Sequence, residues 1–310
     1  MTSPLLENGA VTESPEACPL CAAKRTRFLF NKDAYPVFQC TACRAEFLHP
    51  QPSDDVLTSI YGPDYFLGGE DAEGLERGTR LKAATARRYL GCIMDRLQNG
   101  QQHLLEIGCG VGDLLVQAQE RGFQVRGVEV SPSSAEKANR RLGRPLVEAG
   151  TLEDADIPRV SFDVVIGCDV LEHVRSPQAF LASVYECLRP GGMLFLITPS
   201  ADSWSRKILG RHWMEYKTEH LFYFNKASLG HLLEKAGFQS VSLAPNRKVL
   251  SLDYVNHHFQ RFSVPVCSAL LRAARTMLPD SIAFKPFTIP ASSLMVMARK
   301  PDTVAAGVVA

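Results

Sequence analysis

The sequence predicts an α/β protein, a mostly parallel sheet covered on both faces by helices, with a small cysteine module in front of it. Three observations predict this. From residue 103 onward, short apolar runs alternate with helical stretches. A glycine-rich turn, "EIGCGVGDLL", joins the first of those strands to its helix. Two Cys-x-x-Cys pairs, Cys18/Cys21 and Cys40/Cys43, stand near the start with 18 residues between them. Strands that read as continuous apolar runs are buried on both faces, as a parallel sheet between helical layers requires.

The elements follow in order. Residues 1–16 are polar, contain proline and read as disordered; 17–50 form the cysteine module. Residues 51–98 read as a helical linker. In it Pro50 and Pro52 punctuate the chain, Ser53 offers a helix N-cap, and "GGEDAEG" (68–74) is a loop. Over 75–98, Leu81, Ala84, Tyr89, Leu90, Ile93 and Leu97 share one broad helical face. The main domain spans 99–300. Its strands are expected at 103–107, 124–130, 145–149, 162–167, 193–199, 238–244 and 292–300, and its helices at 112–121, 133–141, 176–188 and 227–236. Residues 245–291 are expected to be a helical insertion before the last strand, and 301–310 a disordered tail.

Composition narrows the function classes. The 310 residues are 45% hydrophobic and carry 34 basic against 33 acidic side chains, a net charge of +1. No basic field points to nucleic acid. No apolar run reaches the ~18 residues of a membrane span. The first residues lack a basic start followed by an apolar block, so no signal peptide is expected. Nine cysteines is an odd number, and four of them sit in metal spacing. That fits a reducing cytoplasm better than a disulfide framework. Two Cys-x-x-Cys knuckles at this separation predict one structural zinc on Cys18, Cys21, Cys40 and Cys43, with no open position for catalysis. Only 17 residues lie between Cys43 and Tyr61, which keeps this module close to Tyr61 and Tyr65.

Gly108, Gly110 and Gly112 follow a strand and open a helix, where backbone amides can approach a ligand. A dinucleotide fingerprint would need glycine at 113, which is Asp113. Glu106 precedes the turn and Glu129 ends the next strand, where a carboxylate can accept both hydroxyls of a ribose. The plainer reading is a strand–helix turn that needs glycine, with Glu129 solvated.

At these residues the chain resembles the class I S-adenosylmethionine-dependent methyltransferases. "LLEIGCGVG", "GVEVSPSSAEKAN", "FDVVIGCDVLEHV" and "LRPGGMLFLITP" resemble successive motifs of the subgroup that contains ubiquinone-type O-methyltransferases, and "YGPDYF" its cofactor-covering element. The resemblance implies a Rossmann-like methyltransferase fold with a doubly wound seven-stranded sheet, and S-adenosyl-L-methionine as cofactor. It assigns Glu106, Gly108, Cys109, Gly110 and Gly112 to the methionine end, Glu129 to the ribose and Val130 to a flank of the adenine. Thr151 and Leu152 match the segment that reads the adenine amino group. Cys168 and Asp169 would line the sulfonium side, and Tyr61 and Tyr65 would close over the methionine portion.

The implied reaction is methyl transfer to a small-molecule acceptor: O-methylation of a natural product, quinol-like or sugar hydroxyl, with C- or N-methylation as alternatives. His220 and His173 follow the fifth and fourth strands, where an acceptor's proton would be taken. Trp213, Tyr216 and Tyr223 crowd the same stretch as candidate pocket residues, and His257 lies in the insertion. An RNA base methyltransferase using the cysteine module on RNA is a further alternative, set against a small basic footprint. A non-catalytic protein retaining the fold is another. The insertion reads as a helical lid or as a membrane-surface helix.

Overall fold

The structure, a computed structural model, describes residues 14–60, 72–98, 100–261, 272, 275, 276 and 278–302. Tyr61, Tyr65, most of the expected 68–74 loop, most of the expected disordered ends and the side chain of His257 lie outside the described residues.

Three strands come first: β1 (Thr26–Lys32), β2 (Tyr35–Cys40) and β3 (Glu46–Leu48). β1 and β2 form an antiparallel hairpin with Lys32 opposite Tyr35. Its two-residue turn holds Asp33 at φ 52, a left-handed conformation that a short polar side chain tolerates. Helix α1 (Asp54–Ile60) follows, and the Val56 amide donates to Ser53 Oγ at 3.5 Å, the N-cap expected there. The long helix α2 (Ala72–Met94) begins and ends earlier than the expected 75–98.

The alternating pattern then unfolds as β4 (His103–Ile107), α3 (Asp113–Gln119), β5 (Gln124–Glu129), α4 (Pro132–Leu142), β6 (Val147–Ala149), β7 (Phe162–Cys168), α5 (Pro177–Cys187) and β8 (Leu188–Pro199). Next come α6 (Trp204–Leu209), β9 (Phe222–Tyr223), α7 (Lys226–Lys235), β10 (Gln239–Leu250), α8 (Leu252–Arg261), α9 (Asp280–Ala283) and β11 (Phe287–Arg299). Seven strands form one sheet in the order β10-β11-β8-β7-β4-β5-β6. The pairs β4–β5, β5–β6 and β7–β8 are parallel, and β11 runs antiparallel to β8. This is the doubly wound, mostly parallel sheet that the alternation implies. Helices start where the sequence provides an N-cap followed by proline: Ser131 then Pro132 for α4, Ser176 then Pro177 for α5.

The described residues pack into two compact units, one within 1–62, 157–244 and 292–310, the other within 63–156 and 245–291. In the first, Phe38, Phe47, Trp213, Phe222, Tyr223 and Phe224 are fully buried; in the second, Leu90, Ile93, Leu104 and Leu105 are. Among the described residues no helix is long and apolar enough to cross a membrane.

Two expectations are corrected. The insertion is shorter than 245–291, because β10 runs on to Leu250 and β11 starts at Phe287. The cysteine module is also not self-contained. Its sheet has the order β1-β2-β3-β9, with Glu46 opposite Tyr223 and Phe47 opposite Phe222. The free edge of β3 is covered by the distant β9 segment, whose two residues make only a short edge of their own.

Candidate active site

In the second unit β4 runs into the glycine turn. Gly108, Gly110 and Gly112 have φ of 67, 54 and 78, conformations that cost any residue with a Cβ. At Gly112 a Cβ would also lie 3.1 Å from Ala138 Cβ, so glycine lets α3 approach α4. The Gly108 and Cys109 amides donate to the Val128 carbonyl at 2.8 and 3.3 Å. Glu129, buried at the end of β5, accepts from the Gly110 amide through Oε2 at 2.7 Å and from the Ser131 amide through Oε1 at 2.9 Å. One carboxylate thus ties the turn to the next strand–helix junction. Each oxygen keeps a second lone pair for a ligand hydroxyl.

Glu106 is buried near the end of β4, and among the described residues its Oε2 has no hydrogen-bond partner. Burial, then the charges of Asp113 and Glu129, push its carboxyl well above the usual range. A buried carboxyl beside further carboxylates, with an unsatisfied oxygen, is the electrostatic complement of an ammonium group. These residues therefore fit a ligand carrying an ammonium at one end and a ribose at the other. The Cys109 thiol is different. It would lie 3.0 Å from a Cβ at Gly127 and is buried in packing, so Cys109 offers the turn its backbone. Val130 is exposed, as a flank of a ligand must be, while Leu152 is buried. The Thr151 hydroxyl donates to Asp154 Oδ2 at 2.7 Å. Asp154 is an acid that the sequence reading passed over.

In the first unit β7 ends at Cys168 and the chain turns sharply at Asp169, whose φ is 55. The turn delivers Glu172 and His173. Glu172 is fully buried and accepts from Thr198 Oγ1 at 3.0 Å, and among the described residues its Oε1 has no hydrogen-bond partner. Its carbonyl accepts the Leu221 amide at 2.8 Å, which brings the segment carrying His220 alongside. The structure thus joins two histidines that lie apart in sequence. Their ring centroids are 4.6 Å apart and nearly perpendicular, and ligand-type atoms of Glu172, His173 and His220 lie within 4.8 Å of one another.

Each ring is oriented by a backbone carbonyl. His173 Nδ1 lies 3.0 Å from the Glu219 carbonyl, and His220 Nδ1 lies 2.8 Å from the Glu215 carbonyl. A carbonyl only accepts, so both Nδ1 atoms carry the proton and each Nε2 keeps a lone pair. Burial lowers the His173 pKa to about 4. Burial and then the neighbouring His173 hold His220 well below the ordinary value. Both rings are neutral at pH 7 and able to accept a proton.

Trp213, Tyr216 and Tyr223 are buried, and their polar atoms are spent inside the protein. Trp213 Nε1 donates to Ser205 Oγ at 3.1 Å, Tyr223 Oη to the Lys217 carbonyl at 3.0 Å, and Tyr216 Oη to Glu46 Oε2 at 2.5 Å. They form a buried aromatic wall whose polar atoms are held by protein partners. Sequence reading missed Glu46. It is a buried carboxylate in the cysteine module, and a three-residue strand has no periodicity to reveal its inward face.

Cys18, Cys21, Cys40 and Cys43 bring their sulfurs within 4.8 Å of one another, with Cys18–Cys43 at 3.7 Å and Cys21–Cys40 at 3.6 Å. A tetrahedral zinc with Zn–S of about 2.3 Å spaces its sulfurs about 3.8 Å apart. The residue after each pair, Ala22 and Arg44, is left-handed, with φ of 60 and 61. The two knuckles therefore share one backbone shape, and the donor set fits zinc.

A glycine turn closed by a carboxylate at the end of the second strand, on a doubly wound sheet, defines a nucleotide-cofactor-binding α/β protein. Comparison with known proteins narrows this class. A family model described as "Methyltransferase domain" matches residues 77–243, more than half of the chain. The chain belongs to the methyltransferase domain family. It is 38% identical over 141 residues to the mitochondrial ubiquinone biosynthesis O-methyltransferase of Schizosaccharomyces pombe, covering 43% of this chain and 49% of that protein. It is 28% identical over 148 residues to the malonyl-[acyl-carrier protein] O-methyltransferase of Serratia marcescens, covering 48% and 56%. The matches thus span about half the length of these curated relatives. A solved structure of Haemonchus contortus phosphoethanolamine N-methyltransferase 2 in complex with S-adenosyl-L-methionine has the same fold, with a TM-score of 0.51 and 17% identity over 83% of this chain and 62% of that one.

Proposed function

We propose that this protein is an S-adenosyl-L-methionine-dependent methyltransferase acting on a small-molecule acceptor, with a hydroxyl oxygen as the methylated atom. The observation that carries this reading is the pair of buried carboxylates around the glycine turn. Glu106 has an unsatisfied oxygen for an ammonium, and Glu129 is poised for a ribose. Gly108, Gly110 and Gly112 give the cofactor backbone access, and Val130, Thr151 and Leu152 flank its base. When bound, the cofactor supplies a methyl group on a positively charged sulfur, already a strong electrophile.

The chain's own residues hold the acceptor's proton. His220 Nε2 takes it, with Nδ1–H fixed on the Glu215 carbonyl, and His173 lies against the same ring. An acceptor hydroxyl oxygen that gave an electron pair to that methyl carbon, while the carbon–sulfur bond broke and returned its pair to sulfur, would acidify steeply at its O–H. A neutral imidazole suffices for that late proton transfer even though burial makes it a weak base. Cys18, Cys21, Cys40 and Cys43 hold one zinc that serves structure alone, since four thiolates close the tetrahedron.

Calorimetry with S-adenosylmethionine and S-adenosylhomocysteine tests the cofactor site. Glu129→Gln is expected to weaken binding about 10–150-fold, the worth of a charge-assisted bond of roughly 1.5–3 kcal/mol. Unchanged affinity in a folded Glu129→Gln protein rules this placement out.

A further inference from the structure

We infer that Glu46, in the cysteine module, is a positioning residue for His220. The inference rests on reading His220 as the proton acceptor, and it deepens that reading by naming what holds the ring in its working orientation.

Glu46 is 1% exposed and lies on β3, directly opposite Tyr223 on β9. Its carboxylate is fully engaged: Oε1 accepts from Arg206 Nη2 at 2.7 Å and Gln39 Nε2 at 3.0 Å, and Oε2 accepts from Tyr216 Oη at 2.5 Å. Arg206 Nε also donates to Tyr216 Oη at 3.2 Å, closing a three-membered network. Tyr216 is the residue on which this network acts. The carbonyl just before it, on Glu215, holds His220 Nδ1, and the carbonyl just after it, on Lys217, holds Tyr223 Oη. Its ring packs on Tyr223 at 4.7 Å and on Phe30 of β1 at 4.8 Å. Fixing Tyr216 therefore fixes the two peptide groups that orient His220 and the residue beside it. A second tie, from Thr218 Oγ1 to Asp33 Oδ2 at 2.8 Å, anchors the same loop to the β1–β2 turn.

A carboxylate this buried needs a reason, because burying a charge is costly unless it is paired and hydrogen-bonded. Shape alone is met by an apolar side chain. What Glu46 adds is direction. A charged acceptor fixes a phenol hydroxyl and a guanidinium at set angles, and the loop between Arg206 and His220 inherits that geometry. The cysteine module then reaches the reacting end of the molecule through one side chain.

The tautomer of His220 tests this. Long-range proton–nitrogen spectra of the full-length, zinc-loaded protein report which ring nitrogen carries the proton, with His220 assigned by its loss in His220→Gln. In the wild type a single Nδ1-protonated form is expected. In Glu46→Ala and in Tyr216→Phe, the His220 signature should collapse to a mixture of tautomers. S-adenosylhomocysteine affinity should stay unchanged in both variants. Glu46→Gln, which keeps an acceptor for Tyr216, should retain most of the wild-type signature. A role in stability alone lowers the melting temperature and leaves the tautomer untouched. A folded Tyr216→Phe protein with wild-type His220 signals overturns the inference, and so does a wild type without the single tautomer. Should Glu46→Ala not fold, Tyr216→Phe decides alone, since it keeps the ring. The base reading is tested separately. If losing His220 leaves methyl transfer intact while its tautomer still follows Glu46, base catalysis falls and the positioning stands.

Discussion

Single atoms decide most of the cofactor site. A Gly112→Ala change meets a φ of 78 and an Ala138 methyl 3.1 Å away. It is expected to cost about 1–3 kcal/mol and to weaken cofactor binding, as read by denaturation and calorimetry. The histidines make a prediction in pH. Burial holds His173 at about 4 in the folded protein, below its value of about 6.5 in the unfolded chain. Unfolding therefore takes up a proton between those limits. The stabilisation is complete above about pH 6.5 and is lost as pH falls toward 4, by ~3 kcal/mol at most. Glu106 and Glu172, whose carboxyls burial pushes up, act in the opposite direction. The difference between wild type and His173→Gln in urea titrations at pH 4.5 and 7.5 isolates the histidine. Burial, which lowers both rings, places the acid limb of turnover below the ordinary histidine range, and a limb near 6.5 in the rate profile counts against both rings as the base. The glycines, Glu106 and Glu129 were legible in the sequence because a turn next to a strand end restricts what can stand there. Sequence put both His173 and His220 at the carboxyl ends of strands, but the packing of one ring on the other at 4.6 Å was not legible, since only the fold sets two loops side by side.

Elements show the same division. Apolar runs such as "FDVVIG" are long enough, and buried enough, to announce themselves, and β7 covers Phe162–Cys168 as read. The two-residue β9 gives no signal at all, because its pairing energy comes from a partner far away in the chain. Helix α7 shows how such distant partners are used. Asn225 caps it, with Oδ1 accepting from the Ser228 amide at 2.9 Å, while Nδ2 donates to the Cys43 carbonyl at 3.3 Å. Asn225→Ala is expected to cost about 1–2 kcal/mol. Asn225→Asp, which keeps the cap and loses the donor to the second knuckle, should recover most of that. Urea denaturation of the two variants measures the split.

At the scale of the molecule, the cysteine module belongs to the same compact unit as the segment that carries β9. Gln178 Nε2 donates to the Pro19 carbonyl at 2.6 Å, and the Arg175 guanidinium donates to the Pro52 carbonyl at 2.9 Å and bonds the Asp54 carboxylate. Chelation, or a Cys40→Ser/Cys43→Ser double change, should therefore lower the main melting transition by ~5–10 °C, well beyond a local effect. Removing residues 1–50 should leave β9 unpaired and Arg206 and Tyr216 without Glu46, and abolish cooperative unfolding. A truncated protein melting at the wild-type temperature would show an independent module. The zinc spacing was legible, and so was the small size of the module. Its reliance on β9 was not, because nothing in 34 residues reveals a missing fourth strand.

The pairing of β3 with β9 also sets a schedule. Glu46 and Tyr216 are 170 residues apart in the chain. At about 5–20 residues per second, the ribosome presents the second roughly 10–30 s after the first. Throughout that interval the hairpin waits with one edge open and a carboxylate that Gln39 alone can reach. Metal captured early by the four thiols would hold the nascent hairpin in register until the strand that completes it is made.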